Sequence, residues 1–265
     1  MKCNICLSPS KLLFEKKVLQ KHNVKYFRCV ECGCMFTEKP YWLAEAYSEA
    51  ITATDLGLVK RNLHIKEIVE RIILLNLDHN GTFLDFAGGY GLLVRMLRDD
   101  GFDFYRQDEY CKNIFAVGFD IDDLPFQERN FQMVTAFEVF EHLEDPVLVI
   151  NKLFGFADVI LFSTELLPST NIDDWWYLGL NTGQHVSFFT LKSLQIMAKR
   201  FDADFYSDEK SVHVFVKNKS IENPFAPRNF FLKWLEQKRI VAKKKKMVSL
   251  LMKDVEATFA KVKLL

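Results

Sequence analysis

Gly81-Thr82-Phe83-Leu84-Asp85-Phe86-Ala87-Gly88-Gly89-Tyr90-Gly91, followed by Leu92-Leu93-Val94-Arg95-Met96-Leu97, reads as a buried strand, a tight glycine turn and a helix. Thr82 to Phe86 is a short apolar run of β-forming residues with an acid at its end. The helix runs towards Gly101, a C-terminal glycine after Arg98-Asp99-Asp100. Glycines at such a turn let a ligand lie against backbone N–H groups at a helix N-terminus. The dinucleotide fingerprint G-x-G-x-x-G is absent, and acid-x-Ala-x-Gly-x-Gly stands in its place. A plain glycine-rich turn is the bland reading of the same residues.

The rest of the chain bounds the setting. A length of 265 residues suits one large domain and a small one. Thirty-five basic and 35 acidic side chains cancel, so the basic excess of a general nucleic-acid binder is missing. Twenty-five phenylalanines suit a sizeable core. No apolar run is long enough to span a bilayer, and Met1-Lys2-Cys3-Asn4-Ile5-Cys6 does not read as a signal peptide. The expectation is a cytoplasmic protein whose cysteines bind metal instead of forming disulfides.

Five of the six cysteines fall between residues 3 and 34. Cys3-x-x-Cys6 and Cys29-x-x-Cys32 are two knuckles a hairpin apart, the spacing of a tetrahedral four-thiolate zinc site. Four cysteines leave no open position, so the expected zinc is structural. Cys34 is a spare thiol beside it.

Residues 1–40 are therefore read as a zinc ribbon, 41–78 as a helical connector with its main helix at about 56–77, 79–218 as an α/β domain, and 219–265 as C-terminal helices. After the glycine-turn helix, Phe102–Gln107 reads as a second strand ending at Asp108-Glu109. An acid there, about twenty residues past the turn, matches two vicinal ribose hydroxyls with its two oxygens. Asp108 is the first choice and Glu109 the second. Further strands are expected at 116–119, 131–136 and 157–164, a helix after Asp145-Pro146, a helix from Thr190 to Phe201, and closing strands near 203–206 and 211–217. Helices at about 228–242 and 247–264 flank Lys243–Lys246, a run read as a solvated face or turn. These helices are expected to pack on the core or on a second subunit, as a homodimer surface.

Asp85-x-Ala87-x-Gly89-x-Gly91 resembles motif I, acid-x-Gly-x-Gly-x-Gly, of the class I S-adenosylmethionine (SAM) methyltransferases, with Ala87 in place of the first glycine. Asp120-x-x-x-Leu124-Pro125-Phe126 resembles the family stretch whose acid accepts from the adenine amino group. That resemblance implies Asp120 as the acceptor, with Phe119 and Ile121 as apolar walls. Phe131-Gln132 through Phe137-Glu138-Val139-Phe140-Glu141-His142 to Asp145-Pro146 is similar to Phe-Asp-x-Val-x-x-x-Glu-Val-x-Glu-His-x-x-Asp-Pro, with Gln132 where the family has aspartate. Helices ahead of motif I cover the cofactor in this family, which points Tyr47 and Arg61 at the methionine carboxylate.

The implied fold is a doubly wound, Rossmann-like methyltransferase sheet. The implied SAM residues are Asp85, Ala87, Gly88, Gly89, Gly91, Asp108, Phe119, Asp120, Ile121, Phe137 and Tyr47. Glu138 and His142 are four apart, which on a helical turn shares one face.

Asp173-Asp174-Trp175-Trp176-Tyr177 and Thr182-Gly183-Gln184-His185 put aromatics and amides past the fifth strand, which suits a sugar or nucleoside face. Gln184-His185-Val186-Ser187-Phe188 is similar to a stretch in surface-polysaccharide and deoxysugar methyltransferases, some of which also carry an N-terminal cysteine zinc module. Packing of the loop onto the core is the competing reading. His185 and His142 are candidate bases, with Glu138 as an orienting or alternative base. The implied activity is methyl transfer from SAM to a sugar, nucleotide sugar or related small molecule, with no stable nucleic-acid partner. The alternatives are an RNA base methyltransferase with a zinc module, or a degenerate, non-catalytic interaction module.

Overall fold

A computed structural model describes residues 1–47 and 56–262. Its elements are β1 (Ser10–Val18), β2 (His22–Cys29), β3 (Met35–Thr37), α1 (Leu43–Ala46), α2 (Leu58–Asn76), β4 (Thr82–Phe86), α3 (Leu92–Asp99), β5 (Asp103–Gln107), β6 (Val134–Ala136), α4 (Pro146–Phe154), β7 (Val159–Ser163), β8 (Ser187–Phe188), α5 (Leu191–Arg200), β9 (Asp204–Ser207), β10 (Val212–Val216), α6 (Phe230–Lys244) and α7 (Leu251–Val262). The expected end of the last helix at Leu264 lies outside the described residues. The chain divides into one unit of residues 1–52 with 136–219 and another of 53–135 with 220–265.

In the second of these units β4 runs parallel to both β5 and β6, with Thr82 opposite Asp103 and Asp85 opposite Thr135. A parallel strand covered on both faces needs consecutive apolar residues. Phe83 and Leu84 supply them, and Phe83 stacks on Phe104 with centroids 5.0 Å apart. The expected strand at 116–119 does not form. Gly118 has a φ of 90°, which an extended strand cannot hold, and only an isolated parallel bridge, Arg106 to Asp120, remains.

The lysine run is divided as a face and a turn: Lys243 and Lys244 lie inside α6, and Lys245 and Lys246 form the turn after it. Lys243 donates to the Leu74 carbonyl at 2.6 Å, and Lys244 pairs with the buried Glu70, tying α6 to α2. Asp254 of α7 takes a two-pronged contact from the Arg98 guanidinium of α3 at 2.7 and 2.8 Å.

In the other unit β1, β2, β3 and β8 form an antiparallel sheet, with Ser10 opposite Cys29 and Met35 opposite Phe188. The cysteine ribbon thus shares a sheet with residues far along the chain. Its underside belongs to one apolar core with Tyr26, Met35, Trp42, Tyr177, Val186 and Phe188. β10 lies antiparallel between β7 and β9, and every residue of β7 and β10 is buried. α4 and α5 start as expected: the Asp145 side chain accepts from Leu148 N–H with Pro146 in the first turn, and Thr190 accepts from Ser193 N–H. The chain is therefore mixed α/β with a central sheet of mixed strand direction, the Rossmann-like class expected. No helix among the described residues is long and apolar enough to cross a membrane.

Candidate functional site

The glycine turn after β4 is built by close approach. Gly91 opens α3 with a φ of 85°, and a Cβ there would sit 2.8 Å from Asn113 Oδ1 and 3.1 Å from Ala116 Cβ. A Cβ on Gly88 would sit 2.6 Å from Asp85 Oδ2. Ala87 also lies in the left-handed region, at a φ of 54°. That conformation is free for glycine and costs alanine about 1–2 kcal/mol, so the substitution is felt as backbone strain at this point.

The turn's N–H groups serve the protein itself. Gly88 N–H donates to the Gln107 carbonyl at 3.2 Å, Gly91 N–H to the Gly88 carbonyl at 3.0 Å, and Gly89 N–H to Asp108 Oδ2 at 2.9 Å. The expected SAM residues Asp85, Ala87, Gly88, Gly89 and Gly91 thus stand together at one close-packed turn.

Asp108, the expected ribose acid, also accepts from Tyr110 and Cys111 N–H at 2.8 and 2.7 Å, so its carboxylate fastens the second strand's loop to the glycine turn. Glu109 is exposed. Asp120 accepts from Arg106 Nε at 2.6 Å and Asn113 Nδ2 at 3.1 Å. Phe119 and Ile121 are buried, and the Arg98 guanidinium lies 3.7 Å over the Phe119 ring.

Arg106 was not singled out from the sequence. It is buried and also donates to the Gly89 and Cys111 carbonyls, so one guanidinium holds the turn, the loop after β5 and Asp120 together. The signal was there in the alternation of β5, where Phe102, Phe104 and Arg106 share the buried phase. Asp120 pairs directly with this cation, and the Asp85 carboxyl feels its charge.

Burial pushes the Asp85 carboxyl up to about 7, with Asp108 adding to the rise, against a 2.6 Å hydrogen bond from Thr135 Oγ1 and the pull of Arg106. The folded pKa lies above the unfolded one. Between about pH 4 and 7 the folded state keeps a proton that the unfolded state has lost, so stability falls as pH rises through that window. Asp85→Asn, which still accepts from Thr135, should therefore flatten this slope. Denaturant unfolding should show the variant more stable than the parent at pH 8, on the order of a few kcal/mol, and little changed at pH 5.

The other unit gathers the remaining candidates. Glu138 has a left-handed φ of 55°. Its N–H donates to Ser163 Oγ at 2.8 Å, and Ser163 Oγ donates to its carboxylate at 3.0 Å. A single-turn 3-10 helix, Phe140–His142, starts only after it. The helical turn expected to align Glu138 with His142 is therefore absent, because the Glu138 backbone is turned the wrong way. Phe137 is half-buried.

Tyr47 Oη lies 2.9 Å from His142 Nδ1, and the His142 and His185 rings meet edge to face with centroids 4.9 Å apart. His185 Nδ1 lies 2.6 Å from the Tyr177 carbonyl. Enclosure drives the His142 pKa down to about 3, helped by His185, and lowers that of His185 as well, so both rings are neutral at neutral pH. In the aromatic loop, Trp175 packs 5.1 Å from Tyr177 and 5.9 Å from Phe188, and Gln184 donates to the Ala46 carbonyl. Core packing has claimed these, while Trp176 faces solvent, 75% exposed. Arg61 sits on α2.

The four expected cysteines come together. One thiol from each of Cys3, Cys6, Cys29 and Cys32 lies within 4.8 Å of every other, with Cys6 and Cys29 3.3 Å and Cys3 and Cys32 3.6 Å apart. Tetrahedral zinc with sulfur ligands needs separations of about 3.8 Å, so the set fits zinc with small adjustments. All six cysteines are free thiols. Cys34 Sγ lies 3.4 Å from Cys3 and 3.3 Å from Cys32, beside the set as the sequence places it.

A family model described as a methyltransferase domain matches residues 60–207. No curated protein matches the sequence. Among solved structures, the plantazolicin methyltransferase BpumL, in complex with SAH and a monoazolic desmethyl analogue, is 8% identical at a TM-score of 0.45, covering 67% of this chain and 93% of that one. An O-methyltransferase family protein from Burkholderia thailandensis is 11% identical at a TM-score of 0.48, with 68% and 63% covered. TnmH is 15% identical at 0.46, with 67% and 61% covered.

Proposed function

The chain belongs to the methyltransferase domain family and is a SAM-dependent methyltransferase, and we propose that it methylates a small polar acceptor: a sugar, nucleotide sugar or related polysaccharide precursor. The observation that carries the cofactor assignment is the charge of the glycine turn. Asp108 and Asp120 outnumber Arg106 there, with Asp85 partly ionised at neutral pH, and the glycine N–H donors are engaged within the protein. SAM carries a sulfonium, an ammonium and one carboxylate, a net positive charge, and no phosphate, which suits a carboxylate-rich turn better than a pyrophosphate would.

Methyl transfer is an in-line displacement at sulfur, so alignment and exclusion of water supply much of the rate. His185, His142 and Glu138 are read as the acceptor-side residues, each oriented by a neighbour: Tyr177, Tyr47 and Ser163. The sugar class is supported by Trp176, an aromatic ring open to solvent in the same loop as Asp173 and Asp174, whose exposed carboxylates face Lys16. One structural zinc on Cys3, Cys6, Cys29 and Cys32 completes the reading.

Calorimetric titration with SAM tests the cofactor half. Asp108→Ala should weaken binding by about 1–3 kcal/mol, the loss of charge-assisted hydrogen bonds. Normal binding by Asp108→Ala, with the loss appearing in Glu109→Ala instead, would move the ribose contact to Glu109. A wild-type protein that takes up no SAM would overturn the cofactor assignment.

A further inference from the structure

We propose that Glu141, His142 and His185 form a second metal site, of different chemistry from the four cysteines, that takes a divalent first-row cation such as Mn2+ or Zn2+. Each residue offers one ligand atom, and the three atoms lie within 4.8 Å of one another. One carboxylate and two imidazoles are a donor set suited to Zn2+, Mn2+ or Fe2+, and three protein ligands leave positions open for an oxygen from outside.

The supporting contacts are those of metal-binding histidines. The Tyr177 carbonyl can only accept, so the 2.6 Å contact puts the His185 proton on Nδ1 and leaves Nε2 with a lone pair. His142 Nδ1 is held by Tyr47 Oη at 2.9 Å. The His142 ring also meets the Gln184 backbone, and an incoming ion takes the place of one of these ring contacts.

The two ligand segments are fastened to each other. Val186 N–H donates to the Glu141 carbonyl at 2.8 Å, and Ser187 Oγ donates to the Leu143 carbonyl at 2.6 Å. The carboxylate and both rings are thus placed by short backbone contacts on either side of them, within one compact unit. The set contains His142 and His185, which the functional reading assigns to the acceptor. On that reading, an acceptor hydroxyl would bind the ion at an open position and be made more acidic there.

Mn2+ alone is the probe, because thiolates favour softer ions and the cysteine site will not compete for it. Electron paramagnetic resonance titration of the full-length wild type should show about one Mn2+ bound per chain. Glu141→Gln, close to isosteric, and His185→Ala should each weaken binding at least tenfold, while both keep the zinc held by the cysteines as the sign of an intact fold. Wild type that leaves all Mn2+ free overturns the proposal, and so does unchanged affinity in both variants. If a variant loses its cysteine-bound zinc, His142→Gln, which keeps a polar side chain but removes the imidazole ligand, replaces it, and a drop in Mn2+ affinity is again required. SAM calorimetry on the same samples without Mn2+ keeps the two ideas apart: retained SAM binding with no Mn2+ site removes only the metal.

Discussion

Cys29→Ser/Cys32→Ser should release the zinc proposed for the four cysteines and destabilise much more than residues 1–40. Zinc binding supplies about 10–16 kcal/mol to small four-ligand modules that cannot fold without it. Here the loss would not stay local. β2 ends at Cys29, β3 pairs with β8, and Tyr26, Met35 and Trp42 lie in one core with Tyr177, Leu178 and Phe188. A ribbon without its metal would withdraw half of that core from residues 177–188. Elemental analysis of protein purified without chelator should find the cysteine-bound zinc in the parent and not in the double variant, and thermal melting should show a large drop in Tm. Cys34→Ser is the control, since Cys34 is adjacent to the set and outside the paired knuckles; it should keep the metal. Full retention of zinc by the double variant would remove the assignment.

His185→Ala should lose about 10²–10⁴-fold in the rate of methyl transfer, the contribution of a positioned base to a poorly nucleophilic hydroxyl, while SAM affinity stays as it was. We rank the three candidates by what already holds them. The Tyr177 carbonyl fixes His185 through Nδ1 and leaves Nε2 as the working atom. Burial lowers both imidazole pKa values, that of His142 to about 3, and His142 is also tied at Nδ1 to Tyr47. The Glu138 carboxylate accepts from Ser163 Oγ. Single-turnover rates on His185→Ala, His142→Ala and Glu138→Ala should therefore fall most for His185. Near-wild-type transfer by His185→Ala would exclude it. The loss is expected whether Nε2 takes a proton or holds an ion, and the Mn2+ titration separates those roles.

Local chemistry carried the readings that the sequence by itself determined. The apolar run before an acid and three small residues made β4, its turn and α3, because a strand covered on both faces and a helix starting at a left-handed glycine each have a short-range signature. Asp145-Pro146 and Thr190 started their helices for the same reason, since a cap acts on N–H groups two or three residues away. The C-x-x-C pairs were legible because knuckle spacing is local and the only long step, from Cys6 to Cys29, is a hairpin.

What needed tertiary structure involves partners far apart in the chain or a backbone angle set by them. Gly118 broke an expected strand at one residue. Glu138 was turned out of a helix by Ser163, 25 positions later. Trp175 and Tyr177 looked like a binding face until the ribbon's Tyr26 and Met35 proved to share their core. Arg106 was hidden because its three acceptors come from a turn before it and loops after it. Likewise Glu141, His142 and His185 became a metal-sized cluster only when Val186 and Ser187 fastened their segment to 141–143, a juxtaposition of residues more than forty positions apart that no spacing rule encodes.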